Sequence, residues 1–293
     1  MLISIVTPTY NMSDYLKNTI DSILSQTYND VEYIIMDSNS NDGTLELVLE
    51  YKILFGEFYY YENGNLIEYQ KNVEGKKLIY CREKDLGPYY AVKKGFSIAT
   101  GEIFAWLNAD DIYYPASFSV VNEIFYKYKN VEWIIGIPSR INEAGQLFSC
   151  YPQTKILNYF IKLGYYNKKI LGSLQQESMF WRKSLWDASG GINTGYTLAA
   201  DFELWIRFAK IDKIFFVKSI LASFRVRKNL QRSSYLAGDY KNEVDLICEK
   251  LNLRFIHKLL RYFLMNRIIR YFTKILIKNN VISYENNAWN KVK

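Results

Sequence analysis

A single histidine, His257, occurs in the 293 residues, and it lies near the C-terminus, away from the motifs described below. Histidine-based triads and multi-histidine zinc sites are therefore excluded by inventory, and acid–base chemistry must rely mainly on carboxylates. Cysteine is nearly as scarce. Cys81, Cys150 and Cys248 are far apart and odd in number, which gives no CxxC metal or redox pattern and suits reduced, structural thiols. No stretch reaches the roughly 20 apolar residues of a membrane span. The opening MLISIVTPTYN has no basic n-region and its apolar run is too short for a signal peptide, so a cytoplasmic location is expected. No G-x-G-x-x-G follows the first apolar run, which argues against a nicotinamide-dependent oxidoreductase.

What is present is an ordinary globular balance. The chain is 49% hydrophobic and 23% charged, enough for a sizeable core in one large domain or a domain with an appendage. Tyrosine is used heavily, at 26 residues; this is a compositional habit first and a hint of sugar-stacking surfaces second. ISIVTPTYN reads as a buried strand, Ile3 to Val6, ending in a proline-containing loop, and DYLKNTIDSILSQ places Leu16, Ile20, Ile23 and Leu24 at helical spacing. VEYIIMD is a second strand stopping at Asp37, and SNSNDGT leads into a helix over about residues 44–52. LIYCRE, GPYYAVKKGFSIAT and EIFAWLNADD continue as strand, helix, strand. This order predicts an α/β domain with parallel, right-handed crossovers. Polar loops around Thr7, Asp37 and Asp110 end three of the strands, and ligands of open α/β sheets sit beyond such carboxyl ends. Between Ile53 and Lys77, Asn63-Gly64 within FYYYENGNLIEYQ signals a hairpin. It reads as an insertion, structural by default, whose tyrosines could shape an acceptor surface.

The tail from Arg254 to Lys278 contains no acid. Its basic residues are Arg254, Lys258, Arg261, Arg267, Arg270, Lys274 and Lys278, enough to account for the net charge of +7. At about 100° per residue the first three basics lie opposite Phe255, Leu259 and Phe263. After Asn266 the phase reverses, and Ile268, Ile269, Phe272 and Leu276 cluster. Two short amphipathic helices with a break near Asn266 are expected. Basic amphipathic helices of this kind suit an anionic membrane surface; packing back onto the domain or a homodimer contact are the alternatives. Nucleic acid is not the expected partner, because no recognisable module interleaves aromatic stacking platforms with the basic residues.

In FAWLNADDIYYP the carboxylates of Asp110 and Asp111 stand side by side after an apolar run and repel each other unless a cation, a ligand or water offsets them. Alone, NADD is a weak signal, because two acids after a strand more often make a solvated turn. The ordered set TPTYN, DSNSNDGT, DLGPYYAVKKG and NADD, followed by QQESMFWRKSLWDASGGIN and AADFELWIRFAK, resembles family 2 glycosyltransferases with the GT-A fold. The resemblance covers roughly residues 1–228, and it is the order of the motifs that makes it specific. It implies a Rossmann-like mixed sheet flanked by helices over 1–228, followed by a helical C-terminal extension over 229–293.

The resemblance further implies an inverting transfer of a sugar from a nucleotide-sugar donor, UDP-linked by preference, to a glycan or lipid-linked acceptor in polysaccharide assembly. Thr7, Pro8 and Tyr10 would wrap the base and ribose, Asp37 would hydrogen-bond the base, and Asp85 would contact the nucleotide while Gly87 allows close backbone approach. NADD matches the DxD-type motif, with Asn108 at its first position and Asp110 and Asp111 as ligands of Mn²⁺ or Mg²⁺. Many relatives place a histidine of the metal shell in the segment matching FRVRKN, where this sequence has Arg227; Arg225, Arg227 and Lys228 could neutralise phosphate directly or form a solvated basic loop. Asp201 in AADFELW matches the catalytic base, with a helix N-cap as its structural alternative. Glu203 reads as support for that helix. Gln176 and Trp181 fall on the acceptor side, Trp181 reading first as core. A non-catalytic carbohydrate-binding or scaffold protein on the same fold is the alternative function, and the presence of Asp110, Asp111 and Asp201 argues against it.

Overall fold

The computed structural model describes residues 1–72, 75–150, 156–227, 236–266 and 280–292. Its first elements follow the expected alternation: β1 (Ile3–Thr9), α1 (Ser13–Leu24), β2 (Val31–Asp37) and α2 (Thr44–Tyr51). Next come β3 (Glu57–Glu62), β4 (Asn65–Lys71), β5 (Lys77–Arg82), α3 (Pro88–Ile98) and β6 (Ile103–Trp106). β1 and β2 are buried along their whole length, as strands covered on both faces must be. β1 pairs in parallel with β2 and β6, and β2 with β5. The chain therefore adds strands on one side of β1 before returning to add β6 on the other. At such a switch point the strand ends diverge and open a crevice.

Asn63 (φ 47°) and Gly64 (φ 82°) form the two-residue turn joining β3 to β4, both in the left-handed region that a type I′ turn requires. β3 is also integral to the sheet, because it pairs in parallel with β5.

The middle of the chain supplies β7 (Ile112–Tyr113), α4 (Ser117–Lys127), β8 (Trp133–Ile135), β9 (Ser139–Ile141), β10 (Leu147–Cys150) and α5 (Asn158–Lys162). β11 (Met179–Arg182), α6 (Lys183–Ser189), α7 (Ala200–Ile211), β12 (Phe215–Val217) and β13 (Ala222–Arg225) follow. β11 runs antiparallel to β6 and β8, so the large sheet is mixed. A second sheet has the order β10-β9-β13-β7.

The extension contains α8 (Ala237–Lys250), α9 (Phe255–Met265), β14 (Val281–Glu285) and β15 (Ala288–Val292). The helical expectation therefore fails at 281–292. Asn286 and Asn287 adopt φ 53° and 57° and close a hairpin between VISYE and AWNKV, as Asn-Gly would. β14 pairs in parallel with β12, and Ile282 and Trp289 are buried. Among the described residues the large sheet has the order β15-β14-β12-β8-β11-β6-β1-β2-β5-β3-β4. α9 ends at Met265 with Asn266 after it, where the break was expected. The second basic helix, after Asn266, and Lys228 lie outside the described residues.

Alternate residues of β1 enter two cores. Ile3 and Ile5 join the layer with α1 and α4, and Val6 joins the layer with α3, α6 and α7. Trp181 lies fully buried in the second layer, with its ring 5.6 Å from Trp205 and 6.1 Å from Trp186. Its place on the acceptor side is thereby corrected: it is a core residue, because β11 turns it into the aromatic layer beneath α6 and α7. Among the described residues no helix is long and apolar enough to cross a membrane.

Candidate active site

The segment Asn108–Asp111 leaves the end of β6 and is pinned from α1. Thr19 Oγ1 lies 2.9 and 2.8 Å from the carbonyl oxygens of Ala109 and Asp111. Antiparallel pairing of β7 with β13 sets Ser223 opposite Ile112 and so carries Arg225 to the two acids. The Arg225 backbone N–H donates to Asp111 Oδ1 at 2.9 Å, and its Nε donates to the Asp110 carbonyl at 2.7 Å. Nη1 donates to the carbonyls of Asn142 and Glu143. Arg225 is thus a buried brace of the loop, which corrects its expected role toward phosphate. Arg227 is less deeply buried, its side chain 15% exposed, with Nε 2.8 Å from Asp110 Oδ2. Asn108 Nδ2 donates to Asp111 Oδ2 and to Gln176 Oε1, each at 3.1 Å, while Gln176 Nε2 donates to the Trp106 carbonyl. The first residue of NADD and the expected acceptor-side residue are direct neighbours.

Burial drives the Asp111 carboxyl well above its usual range, with the charges of Asp110 and Glu177 adding to it. Burial also raises Asp110, against the pull of Arg227 and Arg225. Glu177 joins this group although its motif gave it no role. Burial lifts its carboxyl to about 8, with Asp110 and Asp201 contributing, and Oε1 has no hydrogen-bond partner. An acid beside Gln176 in QQES is the signal that could have found it.

Among the described residues no group of three or more His, Cys, Asp or Glu gathers around an ion position. The hard oxygens of Asp110 and Asp111 still suit a cation that binds through one or two carboxylates and takes its other ligands from substrate phosphate and water. The Arg227 guanidinium competes for the same Asp110 oxygen.

The expected nucleotide side is more rigid than a loop. β1 continues through Thr9, so Thr7 and Pro8 are buried strand residues. Leu107 N donates to the Val6 carbonyl and Ser38 N to that of Thr9. Pro8 therefore faces the side where β6 has already ended, and its missing N–H breaks no ladder bond. Only Tyr10 of this group projects, 61% exposed. Asp37 is fully enclosed: Ser40 N and Oγ donate to Oδ1 and the Tyr80 hydroxyl to Oδ2, with Arg82 Nε at 3.7 Å. Its carboxylate thus organises the loop that follows β2. Asp85 is half-buried, and burial raises its carboxyl while the N–H of Gly87 donates to Oδ1 at 2.7 Å. Gly87 has φ 127° with open space where a Cβ would stand, a conformation that favours glycine. Asp37, Asp85, Leu86 and Tyr90 help line a cavity of about 460 Å³.

Asp201 lies in the first turn of α7, whose N-cap is Ala199; the N-cap alternative therefore does not describe it. Oδ1 is sealed from solvent and has no hydrogen-bond partner. Burial raises the carboxyl to about 6, against hydrogen bonding from Phe202 N–H, its own N–H and Tyr89, with Glu243 adding charge repulsion. Glu203 forms an ion pair with Arg207 one turn on, at 2.7 Å, and supports α7 as expected.

The family described as Glycosyl transferase family 2 matches residues 4–188. That span includes Asp37, Asp85, Asn108–Asp111 and Gln176 and stops before Asp201 and Arg227. An uncharacterized glycosyltransferase of Rickettsia typhi is 25% identical over 228 residues, 77% of this chain and 64% of that one. One from Rickettsia conorii is 28% identical over 267 residues, 88% of this chain and 38% of that one. The chain thus spans less than two thirds of these relatives. A PGL/p-HBAD biosynthesis glycosyltransferase of Mycobacterium bovis is 25% identical over 207 residues, 70% of this chain and 69% of that one. Among solved structures, S. aureus TarS 1–349 in complex with UDP-GlcNAc superposes with TM-score 0.61 at 15% identity, covering 94% of this chain and 76% of that one. The mannosyltransferase PcManGT from Pyrobaculum calidifontis, in complex with GDP-Man and Mn²⁺, gives TM-score 0.57 at 14% identity, covering 93% and 83%. At these identities the likeness shows the shared fold, which is the GT-A arrangement the motifs implied.

Proposed function

Because the chain belongs to glycosyl transferase family 2, we propose that it moves a sugar with inversion from a UDP-linked donor to a hydroxyl of a glycan or lipid-linked acceptor. The observation that carries this reading is the Asp201 carboxylate, whose buried Oδ1 lacks a partner in a cluster that Glu177 connects to Asp110. A base with its pKa near 6 is ionised at neutral pH yet still basic enough to accept a proton in the transition state. Asp201 takes the proton of the acceptor hydroxyl as that oxygen attacks the anomeric carbon. The bond from this carbon to the diphosphate oxygen breaks on the opposite face, which inverts the configuration, and the diphosphate leaves with the electron pair. Arg227, beside Asp110, supplies positive charge to the departing group. A Mn²⁺ or Mg²⁺ ion held by Asp110 and Asp111 would add Lewis-acid stabilisation of the same charge. Tyr10, exposed at the end of β1, offers a ring to the base, and Asp85 with Gly87 shapes the nucleotide side.

The expected outcome for Asp201→Asn is a loss of turnover of about 10²- to 10⁴-fold with the dissociation constant for UDP unchanged. The wild-type rate should rise with pH through about 6, as Asp201 loses its proton. Turnover of UDP-GlcNAc and GDP-Man, with calorimetry of UDP, provides the test. A mutant with wild-type turnover sinks the assignment.

The acceptor side of the proposal extends to a membrane. α9 presents Phe255, Ile256, Leu259, Tyr262 and Phe263 to solvent, and the sequence adds basic residues around and beyond it. This face supports peripheral attachment to an anionic lipid surface on the cytoplasmic side, where a lipid-linked acceptor would reside.

A further inference from the structure

We infer that Glu243, on α8 in the C-terminal extension, is a positioning residue for the catalytic end of α7, its carboxylate gathering the chain at Thr197, Leu198 and Ala199 just before Asp201. This rests on the reading of Asp201 as the base. Glu243 Oε1 accepts from Thr197 N at 2.8 Å and from Thr197 Oγ1 at 2.7 Å. Oε2 accepts from Leu198 N at 2.9 Å and from Ala199 N at 2.8 Å. Four donors converge on one carboxylate from three consecutive residues.

α7 has no local means of fixing its entry. Its N-cap is an alanine and makes no side-chain cap bond, so the bend that leads into Asp201 is not tied down by the sequence around it. The constraint comes from an element more than 40 residues downstream. α8 itself is firmly seated: Val244, Ile247 and Cys248 are buried, and Lys169 Nζ lies 2.7 Å from Asp245. Glu243 is therefore a rigidly held anion at the foot of α7. Burial works against its charge, but the hydroxyl and N–H donors of 197–199 outweigh it and hold the carboxyl below its usual range. Two effects on Asp201 follow. The clamp fixes where the carboxylate stands, and the negative charge raises its proton affinity. Glu243 lies beyond the span that matches the family, so the extension carries part of the apparatus.

Glu243→Gln and Glu243→Asp separate these effects. Slow hydrolysis of UDP-GlcNAc and GDP-Man, with water as acceptor, is measured against pH together with the dissociation constant for UDP and amide exchange at 197–199. In Glu243→Gln, kcat should fall roughly 10- to 100-fold with UDP affinity within about twofold of wild type. The acid limb should move to lower pH, because Tyr89 from α3, Tyr240 from α8 and Glu177 from the 176–178 turn remain but the Glu243 charge is gone. Glu243→Asp keeps the charge and withdraws it by one methylene, so kcat should fall with the limb left in place. Amide exchange should accelerate in both. If Glu243→Gln does not fold, the kcat and limb of Glu243→Asp decide. A wild-type kcat and pH profile in the variants, or unchanged exchange, overturns the inference. If Asp201→Asn keeps full turnover while exchange at 197–199 accelerates in the Glu243 variants, the clamp exists and the assignment of the base is what fails.

Discussion

Asp110 and Arg227 form a half-buried ion pair at 2.8 Å, so one carboxylate oxygen of NADD already faces a cation. Breaking a hydrogen-bonded charge contact with a diphosphate is worth about 2 kcal/mol, or roughly 30-fold in affinity. Arg227→Ala should therefore weaken UDP binding by about that factor in EDTA, and Mn²⁺ should restore more affinity to the variant than it adds to wild type. Calorimetry with and without Mn²⁺ checks this, and equal affinities in EDTA would remove Arg227 from the phosphate side. Glu177 gives a second residue-scale test. Its carboxyl is held at about 8 in the folded chain against 4.5 ordinarily, so between those values the folded state keeps a proton that the unfolded state has lost. Stability then falls as pH rises through that window and is unaffected below it. Glu177→Gln should flatten the fall, gaining on the order of 4 kcal/mol at pH 8 relative to pH 4.5. Urea titrations of both proteins at the two values are the measurement, and parallel pH dependences would contradict the assignment.

At the scale of elements, the crevice depends on how closely α3 lies over β1. A Cβ at Gly95 would stand 2.5 Å from Val6 Cγ1 and 3.2 Å from Met36 Cγ. Val6 is β-branched and fully buried, so it cannot swing aside. Gly95→Ala gains about 1 kcal/mol of helix propensity but forces the helix off the sheet, at a cost of about 1–3 kcal/mol. A net loss of up to about 2 kcal/mol is expected in urea unfolding, with weaker UDP binding because Gly87 caps the start of α3. A stabilised variant would show that the helix moves freely.

For the whole molecule, the membrane reading needs a variant that leaves the sheet intact. Cutting the chain after Leu253 would strip Ile282 and Trp289, buried in the hairpin against β12, and confound attachment with unfolding. Phe255→Glu combined with Ile256→Glu changes two side chains that are 79% and 62% exposed and leaves the hairpin in place. Each basic residue near an anionic surface contributes about 1 kcal/mol, fading within a Debye length. Wild type should co-sediment with phosphatidylserine vesicles at low salt and release at high salt. The double variant should bind weakly while hydrolysing donor as before. Indifference of the wild type to such vesicles would end the membrane reading and leave the transferase reading intact.

The sequence by itself determined the parallel strands and their helices, because ISIVTPTYN, VEYIIMD and EIFAWLNADD are apolar enough to be buried on both faces wherever they pair. Local turn chemistry also determined the Asn63-Gly64 hairpin, and residue order within the motifs determined the family. Only the tertiary structure decided which acids share a site. Asn108 meets Gln176, and Asp110 meets Arg227, because β7 pairs with β13 and because β11 lies against β6; neither pairing has a local signature. The same holds for Trp181, which read first as core yet also suited a sugar platform until β11 turned it inward. Tyr80 and Arg82, the partners that hold Asp37, also come from outside its own motif. The terminal hairpin was missed because Asn-Asn is a weaker turn signal than Asn-Gly, and its partner β12 is three residues long. Glu243 had no motif at all. Its role arises where α8 brings one carboxylate to three backbone N–H groups, and long-range approach of that kind is set by packing, which periodicity along a chain does not encode.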